Sequence, residues 1–381
     1  MFSAATRFTA LGALIWASSA FAENAKPPAS APADKPVPPA AAPVRVAPTR
    51  PLLAAALPAS LRLGGVDYVN AADLAVWLGL KGSWTDPNKK LLLADKPGVA
   101  NQVELTAEGR EANVNGLRVF LGVPTVVREG KLYVSRIDAE RCLAPLLRPG
   151  LGATVPAPPK IIVLDPGHGG EDPGTENKAL GLTEKILTLD VAERMKKLLE
   201  AAGFKVVLTR TRDASLSANK MVDLAMRPDF AIREKADLFV SIHFNAAPGN
   251  TRGTEVFTYA PRAQRSTDSW GLRVDDAIGE EAPGNRFDHW NTVLSGALHR
   301  SMLKSLKTED RGKKIAHWAV LRTLACPGVL VEPAIITNEA EARRVATPAF
   351  RQQIAESLVA GIRDYVSSLD ALRPPPSPAP K

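Results

Sequence analysis

Between residues 160 and 370, five short apolar runs follow one another: IIVL (161–164), KVVLT (205–209), LFVSI (238–242), TEVFTY (254–259) and GVLVE (328–332). Each has the length of a strand, and helical segments lie between them. In 183–202, Ile186, Leu189, Ala192, Leu198 and Leu199 fall near one face, with Thr183 at the N-cap and Gly203 as the stop. A last helix over 348–369 closes the series. Strands alternating with helices imply an α/β fold, a domain over 160–370 with a mostly parallel sheet covered by helices.

The 381 residues leave room for a second unit ahead of that sheet. Within 58–148, DYVNAADLAVWLGL from Asp67 recurs as LYVSRIDAERCLAP from Leu132, aligning Tyr68 with Tyr133, Val69 with Val134, Asp73 with Asp138 and Leu78 with Leu143. Each copy reads as a strand, a polar cap and an amphipathic helix, and KLLLAD, QVELTAEG, REANVNG and LRVFLG read as strands between them. The result is a small α+β domain. It loosely resembles the small domain at the N-terminus of copper amine oxidases, also attached to many bacterial wall enzymes. It has no metal-ligand cluster, so a spacing or wall-binding role is expected.

The remaining segments are connectors. Residues 1–22 carry Arg7, an apolar stretch from Phe8 to Ala17, and Ala20-Phe21-Ala22, the pattern of a cleaved secretory signal. Export to the periplasm is expected, with no stable membrane insertion once the signal is removed. Residues 23–57 are a Pro/Ala-rich linker, 149–159 a second linker and 371–381 a Pro-rich disordered tail. The net charge of +8 suits an anionic polymer. No zinc-finger spacing, RNP-like aromatic pattern or dense basic stripe accompanies it, so nucleic acid is not expected as a partner. Cys142 and Cys326 fall in different domains and read as two buried free thiols.

Chemistry concentrates at the ends of the strands. Of five histidines, His168 lies four residues past Leu164, and His243 caps LFVSI. Glu332 ends GVLVE, and Glu184 opens the helix after the glycine- and proline-rich loop DPGHGGEDPGT. In open α/β sheets the crevice beyond the carboxyl ends of strands is where ligands bind, so these residues can converge there. Two imidazoles and a carboxylate form the ligand set of a catalytic zinc, and a second carboxylate can move the proton. Glu184 and Glu332 would divide those roles.

Four blocks in order, IIVLDPGHGGEDPGT, GLTEKILTLDVAERMKKLLEAAGFKVVLTRTRD, KADLFVSIHFNAA and DRGKKIAHWAVLRTLACPGVLVEPAIITN, resemble the zinc-dependent N-acetylmuramoyl-L-alanine amidases over about 160–368. The resemblance implies one zinc held by His168, Glu184 and His243, with Glu332 as general base and then acid. It implies cleavage of the amide joining N-acetylmuramic acid of peptidoglycan to the first L-Ala of the stem peptide. Arg322 matches a family arginine whose role stays open between substrate-side and structural.

Two departures stand out. PAI follows Glu332 where the family more often has a Gly-Phe pair, and Pro333 removes a backbone donor. About 25–30 residues over 261–288 look extra by the short connections usual in compact domains, and they would form a lid, a plug addressed by a protein activator, or a plain surface loop. The rival functions are an inactive wall-binding adaptor and a zinc amidohydrolase or peptidase cutting another bond. His317 reads as a packed or rim residue, His289 and His299 as surface. Asp165 reads as a brace for the loop, and Asp223 with Arg227 as a structural pair or cap.

Overall fold

The computed structural model describes residues 56–96, 101–267 and 281–373. The signal (1–22), nearly all of the first linker, residues 268–280 of the extra segment and the tail from 374 lie outside the described residues.

The first region runs β1 (Ser60–Leu63), β2 (Val66–Asn70), α1 (Ala71–Trp77), β3 (Lys81–Asp86), β4 (Lys90–Ala94), β5 (Gln102–Thr106), β6 (Glu111–Val114), β7 (Leu117–Phe120), β8 (Val126–Arg128) and β9 (Lys131–Ser135). Short helical turns α2 (Arg136–Asp138) and α3 (Ala144–Leu147) follow, joined by a π-helical turn over Ala139–Leu143. The internal repeat has a structural meaning. β2 and β9 pair antiparallel with Val69 opposite Val134, so the two copies lie side by side. Each copy has its polar cap: Asn70 Oδ1 accepts from the Ala72 amide at 2.8 Å and Ser135 Oγ from the Asp138 amide at 3.0 Å.

The second region runs β10 (Ile161–Pro166), β11 (Glu176–Asn177), β12 (Leu182–Thr183), α4 (Glu184–Ala201), β13 (Lys205–Leu208), α5 (Lys220–Arg233), β14 (Leu238–Ile242) and β15 (Thr254–Tyr259). It continues with α6 (Asp288–Leu306), β16 (Asp310–Ala316), α7 (Ala319–Arg322), β17 (Gly328–Glu332), α8 (Glu339–Ala346) and α9 (Pro348–Leu372). The strands stand in the order β13-β10-β14-β17-β15-β16, with only the β15·β17 contact antiparallel. Side chains alternate across this sheet. Ile162, Leu164, Val240, Ile242 and Val331 pack under α4, α6 and α9, while Val163, Phe239, Phe257 and Leu330 pack under α5 and α7.

The two regions share one sheet. β7 pairs parallel with β16, Val119 opposite Lys313, and β7-β6-β5-β4-β3 continue the sheet outward. Residues 149–159 are docked rather than slack. Leu151 belongs to the N-terminal core, and the Thr154 carbonyl accepts from Trp290 Nε1 at 3.1 Å. The extra segment is held at its described ends: the Thr267 amide donates to the Ile315 carbonyl at 2.8 Å, and Arg141 bridges Glu281 (2.9 Å) and Asp288 (2.7 Å).

Several expectations need correction. The buried stripe of α4 is Leu187, Thr188, Val191, Ala192, Met195 and Leu199, and Ile186 is exposed. Thr183 occupies the N-cap position without a side-chain cap. The final helix continues to Leu372, into the expected tail. His299 is fully buried, with Nε2 2.6 Å from Asp310 Oδ1, and His289 is half-buried against the Pro149 carbonyl. Both cysteines are buried and free.

Candidate metal centre

β10, β14 and β17 are adjacent and parallel, so their carboxyl ends open onto one place. His168 follows the end of β10, His243 follows β14, and Glu332 is the last residue of β17. The His243 amide donates to the Val331 carbonyl at 3.0 Å, which carries the ladder one step past the strands and sets His243 beside Glu332. Glu184 arrives in the first turn of α4.

The loop after β10 bends sharply. His168 has φ +62, a left-handed conformation that costs a non-glycine residue energy unless its surroundings impose it. Two arginines supply that constraint. Arg210 donates from Nε to the Pro166 carbonyl and from Nη2 to the Gly167 carbonyl, both at 2.9 Å. Arg227 donates from Nη2 to the His168 carbonyl at 2.9 Å and from Nη1 to Asp165 at 2.8 Å. Asp165 is wholly buried and also accepts from Thr209 Oγ1 at 2.7 Å and Ser241 Oγ at 2.8 Å. Burial alone would raise the Asp165 carboxyl; Arg227 and these donors outweigh it and hold it below the usual range. Asp165 therefore braces the loop as the sequence suggests, and Asp223 pairs with Arg227 at 2.9 Å.

Three side chains converge on one oxygen. Glu184 Oε1 lies 3.1 Å from His168 Nε2 and 2.9 Å from His243 Nδ1, and accepts from the Phe244 amide at 3.0 Å. Glu184 Oε2 accepts from the Thr175 amide at 2.7 Å, which fixes the carboxylate plane. One ligand atom from each of His168, Glu184 and His243 lies within 4.8 Å of the others. Burial opposes ionisation of Glu184, yet hydrogen bonds and charge from His168 and His243 drive its carboxyl far below the usual range. The same contacts, together with Asp172, raise His168 against the opposing effect of burial. Two nitrogens facing one anionic oxygen, anchored by backbone amides, form a donor set that fits a divalent cation, and zinc by ligand type.

Glu332 differs in kind. It is buried, and its Oε2 has no hydrogen-bond partner among the described residues. Burial raises its carboxyl well above the ordinary value, reinforced by Glu184 and Glu255 and opposed by Lys314. Arg322, at the end of α7, is exposed, and no hydrogen bond among the described residues joins it to this cluster. His317 packs its ring edge-on against Tyr259, 5.5 Å between centroids, as a packed residue would.

Sequence reasoning missed Asp172, Arg210 and Glu255. Asp172 had a signal: an acid four residues after His168 in the same loop. Arg210 and Glu255 had none, because each acts from a neighbouring strand or its exit.

The family described as N-acetylmuramoyl-L-alanine amidase matches residues 162–364, more than half of the chain. The N-acetylmuramoyl-L-alanine amidase AmiC of Neisseria meningitidis is 32% identical over 242 residues, covering 58% of this chain and 56% of that protein. AmiA of Escherichia coli is 31% identical over 233 residues, covering 55% of this chain and 78% of AmiA. A Bacillus anthracis protein named as an uncharacterized cell wall amidase is 34% identical over 207 residues, covering 54% of this chain and 35% of that protein. The chain thus spans about a third of the Bacillus anthracis protein and a little over half of the Neisseria one. A crystal structure of an N-acetylmuramoyl-L-alanine amidase from Clostridium difficile 630 aligns with a TM-score of 0.44 at 28% identity, over 56% of this chain and 99% of that one. The match to the family covers the strand ends that carry His168, His243 and Glu332 and the helix that carries Glu184, and this chain belongs to the N-acetylmuramoyl-L-alanine amidase family.

Proposed function

We propose that this protein hydrolyses the amide between N-acetylmuramic acid and the first L-Ala of the peptidoglycan stem, with His168, Glu184 and His243 as ligands of one zinc and Glu332 as general base and acid. The observation that carries the reading is the convergence of His168 Nε2 and His243 Nδ1 on Glu184 Oε1, beside buried Glu332, whose Oε2 has no hydrogen-bond partner among the described residues. Zinc supplies Lewis acidity there, polarising a carbonyl and making water a better nucleophile near neutral pH.

The chain's own groups do the rest. Asp172 accepts from His168 Nδ1 at 3.0 Å and so leaves Nε2 as the ligand atom. The Phe244 and Thr175 amides keep Glu184 aimed at the two rings. Glu332, whose proton affinity burial raises, is suited to take a proton from water and return it to the departing nitrogen. The assembled cluster favours an enzyme over an inactive adaptor.

Export and a periplasmic location belong to the same reading and rest on residues 1–22. Among the described residues no helix is long and apolar enough to cross a membrane. A protein activator acting on 261–288 would address a segment whose described ends the N-terminal region already grips, through Asp138 on Gln264 and Arg141 on Glu281.

The test is dye release from labelled peptidoglycan by chelator-treated protein before and after zinc is restored. The reading expects activity only with zinc, and its loss in Glu332→Ala. Equal release with and without zinc contradicts it.

A further inference from the structure

An N-terminal domain that only spaced or tethered the enzyme would have no reason to enter its sheet. Here β7 lies on β16, and the side chains on one face form a row across four neighbouring strands, β7-β16-β15-β17. The Phe120 ring on β7 comes so close to β16 that a Cβ on Gly312 would stand 2.7 Å from it. Lys314 Nζ lies 5.5 Å from the centre of that ring and 5.7 Å from the Phe257 ring, between two aromatic faces. Lys314 donates to Glu255 Oε2, and Arg311 Nε lies 3.5 Å from the same oxygen. Glu255 Oε1 accepts from Asn245 Nδ2, two residues past His243. Glu255 stands directly opposite Glu332 across the β15–β17 ladder. Directly opposed residues keep their Cβ atoms about 4.5–5.5 Å apart.

Lys314 and Glu255 are 3% and 0% exposed, so desolvating this pair is expensive and general stability does not explain it. Its place beside Glu332 does. We propose that the N-terminal domain is a working wall of the catalytic centre: Phe120 closes the buried Lys314–Glu255 pair, and that pair positions Glu332. In a dry environment the charges of Glu255 and Lys314 reach Glu332 with little screening, alongside that of Glu184. Opening the Phe120 side admits water to Lys314 and weakens that influence. Phe120, Lys314 and Glu255 are positioning residues acting through Glu332, so the inference rests on the amidase reading.

The experiment uses the whole zinc-loaded protein on peptidoglycan fragments and compares Glu255→Gln, the double variant Glu255→Gln/Lys314→Met and Phe120→Ala, with the surface variant Lys90→Ala as reference. The expected result is a fall in kcat of about tenfold or more for Glu255→Gln with KM within about twofold, and the acidic limb of the kcat profile moved to lower pH. Phe120→Ala lowers kcat by a smaller factor and, by hydrating Lys314, whose charge opposes the rise of Glu332, moves the acidic limb to higher pH instead. Folding is checked by circular dichroism; should Glu255→Gln be unstable, the double variant is read from kcat, its acidic limb staying near the wild-type position because the two lost charges act on Glu332 in opposite senses. Unchanged kcat and pH profile in folded variants overturns the proposal, and so does a loss that only tracks zinc content. Should the wild type turn over nothing, the amidase reading fails first. The positioning claim is then read from the 13C titration of the Glu332 carboxyl, assigned with Glu332→Gln. The same midpoint in wild type and Glu255→Gln sinks it.

Discussion

His168 Nδ1 lies 3.0 Å from Asp172 Oδ2, four residues further along the same loop, and Lys220 Nζ stands 3.3 Å from that carboxylate oxygen. A carboxylate on the far nitrogen of a ligand imidazole sets its tautomer and raises its basicity. Asp172→Ala is expected to weaken zinc binding by about 10–100-fold while leaving the fold intact. Chelator competition measures this, and unaltered affinity would show that the Arg227 contact on the His168 carbonyl orients the ring by itself.

The same loop depends on a buried charge. Arg227 is 2% exposed and pairs with both Asp165 (2.8 Å) and Asp223 (2.9 Å). Arg227→Ala leaves two buried carboxylates without their cation and is expected to cost about 3–5 kcal/mol in urea unfolding. A cost below 1 kcal/mol would mean that water or rearrangement replaces the guanidinium.

Gly174 sits at φ +67, and a Cβ there would lie 2.6 Å from Glu184 Oε2 and 2.6 Å from the His168 ring. Gly174→Ala pushes on both proposed ligands, His168 and Glu184, at once and adds backbone strain. Zinc stoichiometry by mass spectrometry should fall well below one per chain at micromolar metal, with the circular dichroism spectrum retained. Full occupancy would show that the loop can yield without moving the ligands.

A pH effect sits where the extra segment joins α6. Burial raises the Asp288 carboxyl to about 6 even though Arg141 and Asn285 oppose the rise. Between the ordinary value of 3.8 and about 6 the folded state binds more protons than the unfolded one, so stability falls as pH rises through that window. Asp288→Asn keeps an acceptor for Arg141 and removes the titration. Its advantage over wild type in unfolding free energy should grow by about 3 kcal/mol at most from pH 4 to pH 6.5. A difference that stays flat across that range would show that Asp288 is ionised throughout.

Strand ends were the most legible part of the sequence. β14, β15 and β17 begin and end where LFVSI, TEVFTY and GVLVE do, because both faces of these strands are buried and their sequences are nearly continuous apolar runs. His168, Glu184 and His243 stood out as candidates for the same reason: each lies at the point where a strand or a helix meets the loops. β16 escaped notice as a strand, since DRGKKIA carries four charges in seven residues. Its lysines are buried, Lys314 against Glu255 and Lys313 4.0 Å from Cys142 Sγ, and those partners come from elsewhere in the chain.

α6 was hidden differently. It is buried almost all round, against the sheet, α9 and the N-terminal turns, so it has no polar face to set off an apolar stripe. His299 reads as surface by default, since its Asp310 partner lies on the strand after the helix and leaves no local signal. On α4 the buried face holds Glu184, Leu187, Thr188 and Val191 beside Ala192 and Leu199, which leaves Ile186 exposed.

The central claim is the bond that is cut and the residue that moves its proton. Mass spectrometry of the products from intact peptidoglycan, treated with the zinc-loaded protein and in parallel with Glu332→Gln, tests both together. The expected products are free stem peptides beginning at L-Ala and glycan strands with unbroken sugar linkages, with no release by Glu332→Gln at equal zinc content. Fragments cut within the stem or the glycan, or undiminished release by Glu332→Gln, would contradict it.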